Sequence, residues 1–197
     1  MGKTVQKVHY HLDPGDIKTI SHKEIESILV AADPLIMNGG RTLLVKVLKG
    51  SKDKKIYETG LDRNPSYGIF KQLSKDEILH KVDWLIVNNY LAIEYDNRLP
   101  LVVYDYKGWE IIKEYKINEI IKKFNNMIES SEMPYDMLFL KDRNREIIFE
   151  LLDRISVMSE NKKYLPLLYS WHDIDYKKVR NRIKAVIKKI ENNDLKF

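Results

Sequence analysis

Cysteine is absent from the 197-residue chain. That excludes disulfides, thiolate zinc sites and cysteine nucleophiles, and it suits a reducing compartment. No apolar run approaches the roughly 20 residues that span a bilayer. The N-terminus lacks the apolar core of a secretory signal, so an intracellular soluble protein is expected. Internal repeats and low-complexity tracts are missing as well. Catalytic chemistry is equally scarce. Gly2-Lys3-Thr4 imitates the end of a phosphate-binding loop without its strand or glycine-rich lead-in. His9 and His11 alternate, with His22 beyond, but no carboxylate or cysteine completes a metal set. No serine–histidine pairing or glycine-framed serine stands out. The expectation is a protein without catalysis, cofactor or bound metal.

What is present supports a folded chain. Apolar residues make up 44% and aromatics 10%, enough for a core, and 32% charged residues is below the range of a disordered chain. The length suits one ordinary domain, or a small domain with an extension. A net charge of +5 permits a polyanionic partner without demanding one. The surplus is uneven: residues 1–37 sum to −1, 38–110 to +2 and 111–197 to +4.

Val5, Val8, Tyr10 and Leu12 alternate as a short edge strand would, before a turn at Asp13-Pro14-Gly15. Ser21 with Glu24 reads as a capping box opening a helix with Ile25, Ile28, Leu29 and Ala32 on one face. After Asn38-Gly39-Gly40, a helix from Arg41 carries Leu43, Leu44, Val47 and Leu48 and stops at Gly50. Ser51 is placed to cap the next turn. Ser74 with Glu77 is a second capping box, and Ile78, Val82, Leu85 and Ile86 follow at helical spacing. Leu91–Tyr95 and Leu101–Tyr104 are β-patterned, joined by Asp96-Asn97-Arg98-Leu99-Pro100. Helix, basic turn, helix and two-stranded ribbon is the order of a winged helix-turn-helix. Everything after Lys107-Gly108-Trp109 reads as helical: 111–128, 142–158, and a last helix capped by Asp173 or Asp175. Leu165-Pro166-Leu167-Leu168 reads as a short apolar turn. The expected class is mainly α with a small β-hairpin wing, a winged helix-turn-helix plus a C-terminal helical extension. The expected parts are 1–37, 38–115 and 116–197.

The run Gly40-Arg41, Val47-Leu48-Lys49-Gly50-Ser51-Lys52, Tyr67-Gly68, Asp83-Trp84-Leu85-Ile86 and Tyr90-Leu91, with Lys107-Gly108-Trp109 after the hairpin, resembles the RQC domain of RecQ-type DNA helicases. The resemblance covers about 70 of the 197 residues. The chain departs from RecQ enzymes in carrying neither a helicase motor nor the cysteine zinc module. The resemblance therefore implies a small stand-alone RQC-type DNA-binding protein, cytoplasmic and nucleoid-associated. It also implies phosphate contacts from Lys49, Ser51 and Lys55.

The residues themselves nominate a wider set. Lys49, Ser51, Lys52, Lys54 and Lys55 crowd a corner where one helix ends and another begins, so free amides, a hydroxyl and cations could hold a phosphate. The plain alternative is a solvated charged loop. At the wing tip, Asn97, Arg98 and Leu99 could wedge against a terminal base pair, or Leu99 could fold back on the core. Arg41, Lys71, Lys75 and Lys107 could line the same face. The last helix holds Lys177, Lys178, Arg180, Arg182, Lys184, Lys188 and Lys189 with no acid between Tyr176 and Lys189; a solvated face is the slightly preferred reading. Trp84 and Trp109 are expected in the core. Sequence-tolerant binding of duplex ends, forks or branched DNA is the main expectation. The alternatives are a winged-helix regulator reading a specific operator as a homodimer through its C-terminal helices, and a protein-interaction adaptor.

Overall fold

The computed structural model describes residues 11–130 and 133–192. The strand expected over residues 1–12, with Gly2-Lys3-Thr4 and His9, falls mostly outside the described residues; His11 and Leu12 are not in a strand. The chain divides after Ile112 into two compact units.

The first unit follows the expected order. Helix α1 (His22–Ala32) and helix α4 (Lys75–Val87) both open with complete capping boxes, Ser21 with Glu24 and Ser74 with Glu77. Each box supplies partners for amides that the first helical turn cannot satisfy internally. Helix α2 (Arg41–Lys49) stops at Gly50, whose φ of 72° is the left-handed conformation that glycine adopts without steric cost. A short helix α3 (Lys54–Glu58) follows. Strands β1 (Leu91–Asp96) and β2 (Leu99–Tyr104) pair antiparallel, with Leu91 opposite Tyr104 and Asp96 opposite Leu99. The hairpin is tighter than its five-residue linker suggested. Asn97, at φ 54°, and Arg98 alone form the loop, because asparagine tolerates the left-handed turn and lets Leu99 and Pro100 join the ladder.

The core of this unit lies between α1, α2, α4 and the wing root, where Leu29, Leu44, Leu48, Ile78, Leu85 and Leu91 are fully buried. The wing is anchored from the side: Met37 donates its amide to the Val102 carbonyl at 3.1 Å, and Val102 donates to the Gly39 carbonyl at 2.9 Å. Tyr104 donates its hydroxyl to Asp33 at 2.9 Å, and burial, then the Asp33 carboxylate, push its phenol above the usual range. Trp84 and Trp109 are only half-buried. Trp84 stacks on Tyr90 at 5.9 Å, and Trp109 tilts against Tyr104 at 6.2 Å.

Helix α5 (Tyr106–Ser130) starts five residues before the apolar pattern at Ile111 signals it. The second unit contains its later turns with α6 (Arg145–Val157), α7 (Leu165–Ile174) and α8 (Lys177–Asn192). Asn144 caps α6, so the helix starts three residues inside the expected stretch 142–158. The apolar turn expected at Leu165 is the first turn of α7, where Pro166 is tolerated because its missing amide would have had no partner. Trp171, passed over in the sequence, is the buried indole. It packs edge-on against Phe124 at 6.2 Å and donates Nε1–H to Asp175 at 2.7 Å. Asp175 also accepts the Tyr176 amide at 2.6 Å. Trp171→Ala is expected to destabilise this unit by about 3–5 kcal/mol, whereas Trp84→Ala should cost clearly less. Urea unfolding of the two variants side by side checks the order.

Candidate nucleic-acid interface

The corner after α2 is built by backbone closure. Ser51 donates its amide back to the Lys46 carbonyl at 2.9 Å, which satisfies one of the carbonyls that the end of α2 leaves open. Gly68, at φ 69°, lays its backbone on Gly50; a Cβ on Gly50 would stand 3.0 Å from the Gly68 Cα. Gly68 and Phe70 donate to the carbonyls of Val47 and Leu48 at 2.9 and 3.0 Å, and the Tyr67 hydroxyl donates to the Ser51 carbonyl at 3.0 Å. The Gly50-Ser51 and Tyr67-Gly68 words are thus two halves of one contact.

This closure changes the roles of the expected phosphate ligands. Asp53, rather than Ser51, caps α3 by accepting the Lys55 amide at 3.0 Å, because α3 starts two residues later than Ser51 would allow. The Ser51 hydroxyl accepts the Asp53 amide at 3.3 Å and keeps its own proton to donate. The amides of Ser51, Asp53, Lys55 and Ile56 all have internal acceptors, so they offer no open cradle. Lys49 is also committed: its Nζ donates to the carbonyls of Lys71 and Leu73 at 2.6 and 2.5 Å. The Lys46 ammonium lies 2.6 Å from Asp53. With the Lys55 amide, it holds the Asp53 carboxyl below the usual range.

The corner's acid is therefore already neutralised by Lys46. Lys52 and Lys55 are exposed and form no ion pair among the described residues. Lys54 faces Glu58 at 3.2 Å, with both side chains largely in water, a pair of little energetic weight. Lys71 and Lys75 are exposed beside the corner, since Lys49 reaches the backbone of Lys71 and Leu73 just ahead of α4.

Arg41 is placed differently from the expectation. Its guanidinium lies 2.6 Å from Asp83, whose side chain is 2% exposed, and also donates to the His11 carbonyl at 3.3 Å. Lys107 donates to the Asn88 carbonyl at 3.1 Å and sits 5.4 Å over the Tyr90 ring. Both cations hold the fold together at the α2 and α5 N-termini. The two ends of α2 are distinct. Lys49 meets the start of α4, while Arg41 meets Asp83 near its end, so α2 and α4 run antiparallel. The corner and the tip end of the wing, where the Pro100 carbonyl lies against Gly40, therefore stand at opposite ends of α2. That is a rise of about 12 Å.

The wing tip is free of the core. Leu99 is 63% exposed, so it does not fold back, and Asn97 and Arg98 are exposed beside it. A helix-corner-helix with an exposed hairpin tip is the geometry of a winged helix. The RQC domain family model matches residues 17–126, more than half of the chain. The chain belongs to the RQC domain family. At family level it is a DNA-binding winged helix, and the matched domain is non-catalytic. The ATP-dependent DNA helicase RecQ of Bacillus subtilis is 34% identical over 74 residues, covering 38% of this chain and 12% of the helicase. No solved structure matches significantly. The RQC match begins at residue 17, ahead of the Gly40-Arg41 word where the resemblance starts, and takes in α1.

Gly108 is the site-forming residue that sequence reading named without a reason. It lies in the first turn of α5, directly over the Tyr90 carbonyl, which a Cβ would approach to 1.9 Å. The signal was the glycine in Lys107-Gly108-Trp109. Its cause is a backbone contact distant in sequence. Among the described residues, no three of His, Asp and Glu converge as metal ligands, and no helix is long and apolar enough to cross a membrane.

Proposed function

We propose that the winged-helix unit binds DNA without catalysis, favouring duplex ends, forks or other structured DNA. Lys52, Lys55, Lys71 and Lys75, with the Ser51 hydroxyl, contact backbone phosphates at one end of α2. At the other end, Asn97, Arg98 and Leu99 of the wing meet the terminal base pair. Arg41, Lys49 and Lys107 support this surface from within. The observation that carries the reading is the bare hairpin tip: Leu99 is 63% exposed beside Arg98, an apolar side chain held out where a stacked base pair would cover it. The separation of about 12 Å along α2 is close to a major-groove width, so corner and wing can engage separate phosphate stretches of one duplex.

Titrating labelled blunt duplex, forked duplex and single strand at several salt concentrations tests this. Forks and ends should bind best, with log affinity falling linearly against log salt. Lys55→Ala should lower that slope by about 0.9 on duplex. Leu99→Ala should weaken end and fork binding while the slope stays unchanged. Undetectable binding to every duplex at low salt would remove the reading.

A further inference from the structure

Seven cations crowd α8, and the second unit sorts them into two flanks. The apolar face of α8, formed by Val179, Ile183, Val186, Ile187 and Ile190, is buried. Successive residues are about 100° apart around a helix, so Lys178, Arg182 and Lys189 share one flank of that face. This flank is engaged: Arg182 pairs with Asp153 of α6, and Lys189 donates to the Ser156 hydroxyl at 3.0 Å. Lys177, Arg180, Lys184 and Lys188 fall on the other flank. All four are exposed, and none forms an ion pair among the described residues. They span about 17 Å of helix, the rise of roughly five nucleotides.

Beside the open flank, α7 and α8 border a cleft of about 440 Å³ lined by Tyr169, His172, Lys184, Ile187, Lys188 and Glu191. Tyr169 is 49% exposed, and its hydroxyl donates to Glu191 at 2.6 Å, which ties the ring to α8 and occupies the cleft's one carboxylate. His172 lies beside Asp173 at 3.3 Å. A row of unneutralised cations alongside a cleft with an aromatic side chain and an apolar floor combines backbone attraction with a surface for unpaired bases. Away from its ends, duplex DNA offers no exposed base faces to such a cleft.

We infer that the Lys177, Arg180, Lys184 and Lys188 flank of α8, with the Tyr169 cleft, is a second nucleic-acid surface that takes single-stranded DNA. It uses different side chains, in a different unit, from the winged-helix reading.

The test uses the full chain with fluorescein-labelled oligo-dT and a blunt duplex of equal length, read by anisotropy across a salt series. Combining Lys177→Gln, Lys184→Gln and Lys188→Gln should lower the oligo-dT salt slope by about 2, at about 0.7 per single-strand phosphate. The same triple should leave duplex affinity within about twofold and leave thermal unfolding unchanged, since all three side chains are exposed. Tyr169→Ala should weaken oligo-dT several-fold with the slope intact. The pair Lys178→Gln and Lys189→Gln, on the engaged flank, should leave the slope unchanged. An unaltered slope in the triple variant overturns the inference, as does an equal loss on duplex and single strand. So does triple-sensitive binding to phosphatidylserine vesicles with oligo-dT affinity untouched. Lys55→Ala in the same series reads the winged-helix surface separately, so either proposal can fail without the other.

Discussion

Gly108→Ala is expected to destabilise the winged-helix unit by about 3 kcal/mol, although alanine is the better helix former. The helical gain is about 1 kcal/mol. Against it stands a Cβ 1.9 Å from the Tyr90 carbonyl oxygen and 2.9 Å from its carbon. Overpacking commonly costs about 1–3 kcal/mol and sometimes more, and the cost is highest when the neighbour is backbone that cannot rotate away. Here the neighbour is also engaged, because Tyr90 accepts the Asp105 amide at 3.2 Å and donates to the Leu85 carbonyl at 2.9 Å. Moving it would disturb the end of α4, both strands and the start of α5 together. Thermal unfolding should show a fall of about 10–20 °C in the transition of this unit. Gly60→Ala makes a useful comparison. Its Cβ would meet nothing within 4 Å, so only the strain of φ 70° remains, about 1–2 kcal/mol. A Gly108→Ala protein as stable as the parent would mean that α5 does not dock on Tyr90 as described.

Arg41→Ala should cost a similar amount, about 3–5 kcal/mol, by leaving the buried Asp83 carboxylate without its countercharge. Asp83 is 2% exposed at its side chain, and after the substitution only the Asp13 amide, at 3.0 Å, still donates to it among the described residues. Asp83→Ala should cost less, because Arg41 lies at the rim, 13% exposed, and can turn its guanidinium to water. The double variant should be more stable than Arg41→Ala alone, and a double-mutant cycle in urea measures that coupling. The same variants separate structure from recognition. If Arg41 holds α2 to α4, its loss lowers stability and leaves the DNA salt slope unchanged. A stable Arg41→Ala protein whose slope falls by about one would return Arg41 to the DNA surface.

The contrast between Arg41 and Lys52 shows how far the candidate surface was legible in the sequence. Both read as cations of one candidate DNA-binding face. Whether a cation is spent internally depends on what lies opposite it, and Asp83 is 42 residues from Arg41. Lys49 likewise finds its partners at a distance, since its carbonyl acceptors come from the segment before α4. Ser51 and Asp53 both suit a helix cap, and only the closure of α2 by the Ser51 amide assigned the cap to Asp53. Trp171 was missed because an indole beside a proline-containing turn carries no burial signal until α7 forms around it.

Local physics made the element order readable. Two capping boxes, a glycine stop and an Asp-Asn hairpin turn each act within four residues, and they determined α1, α2, α4 and the wing by themselves. The short words Gly50-Ser51, Tyr67-Gly68 and Lys107-Gly108-Trp109 were visible too, but as words without reasons. Tertiary structure supplied those reasons through backbone contacts at Gly50 on Gly68 and Gly108 on Tyr90, and it decided which cations remain for a partner. Charge neutralisation and close approach act across space between distant segments, so neither could be read along the chain.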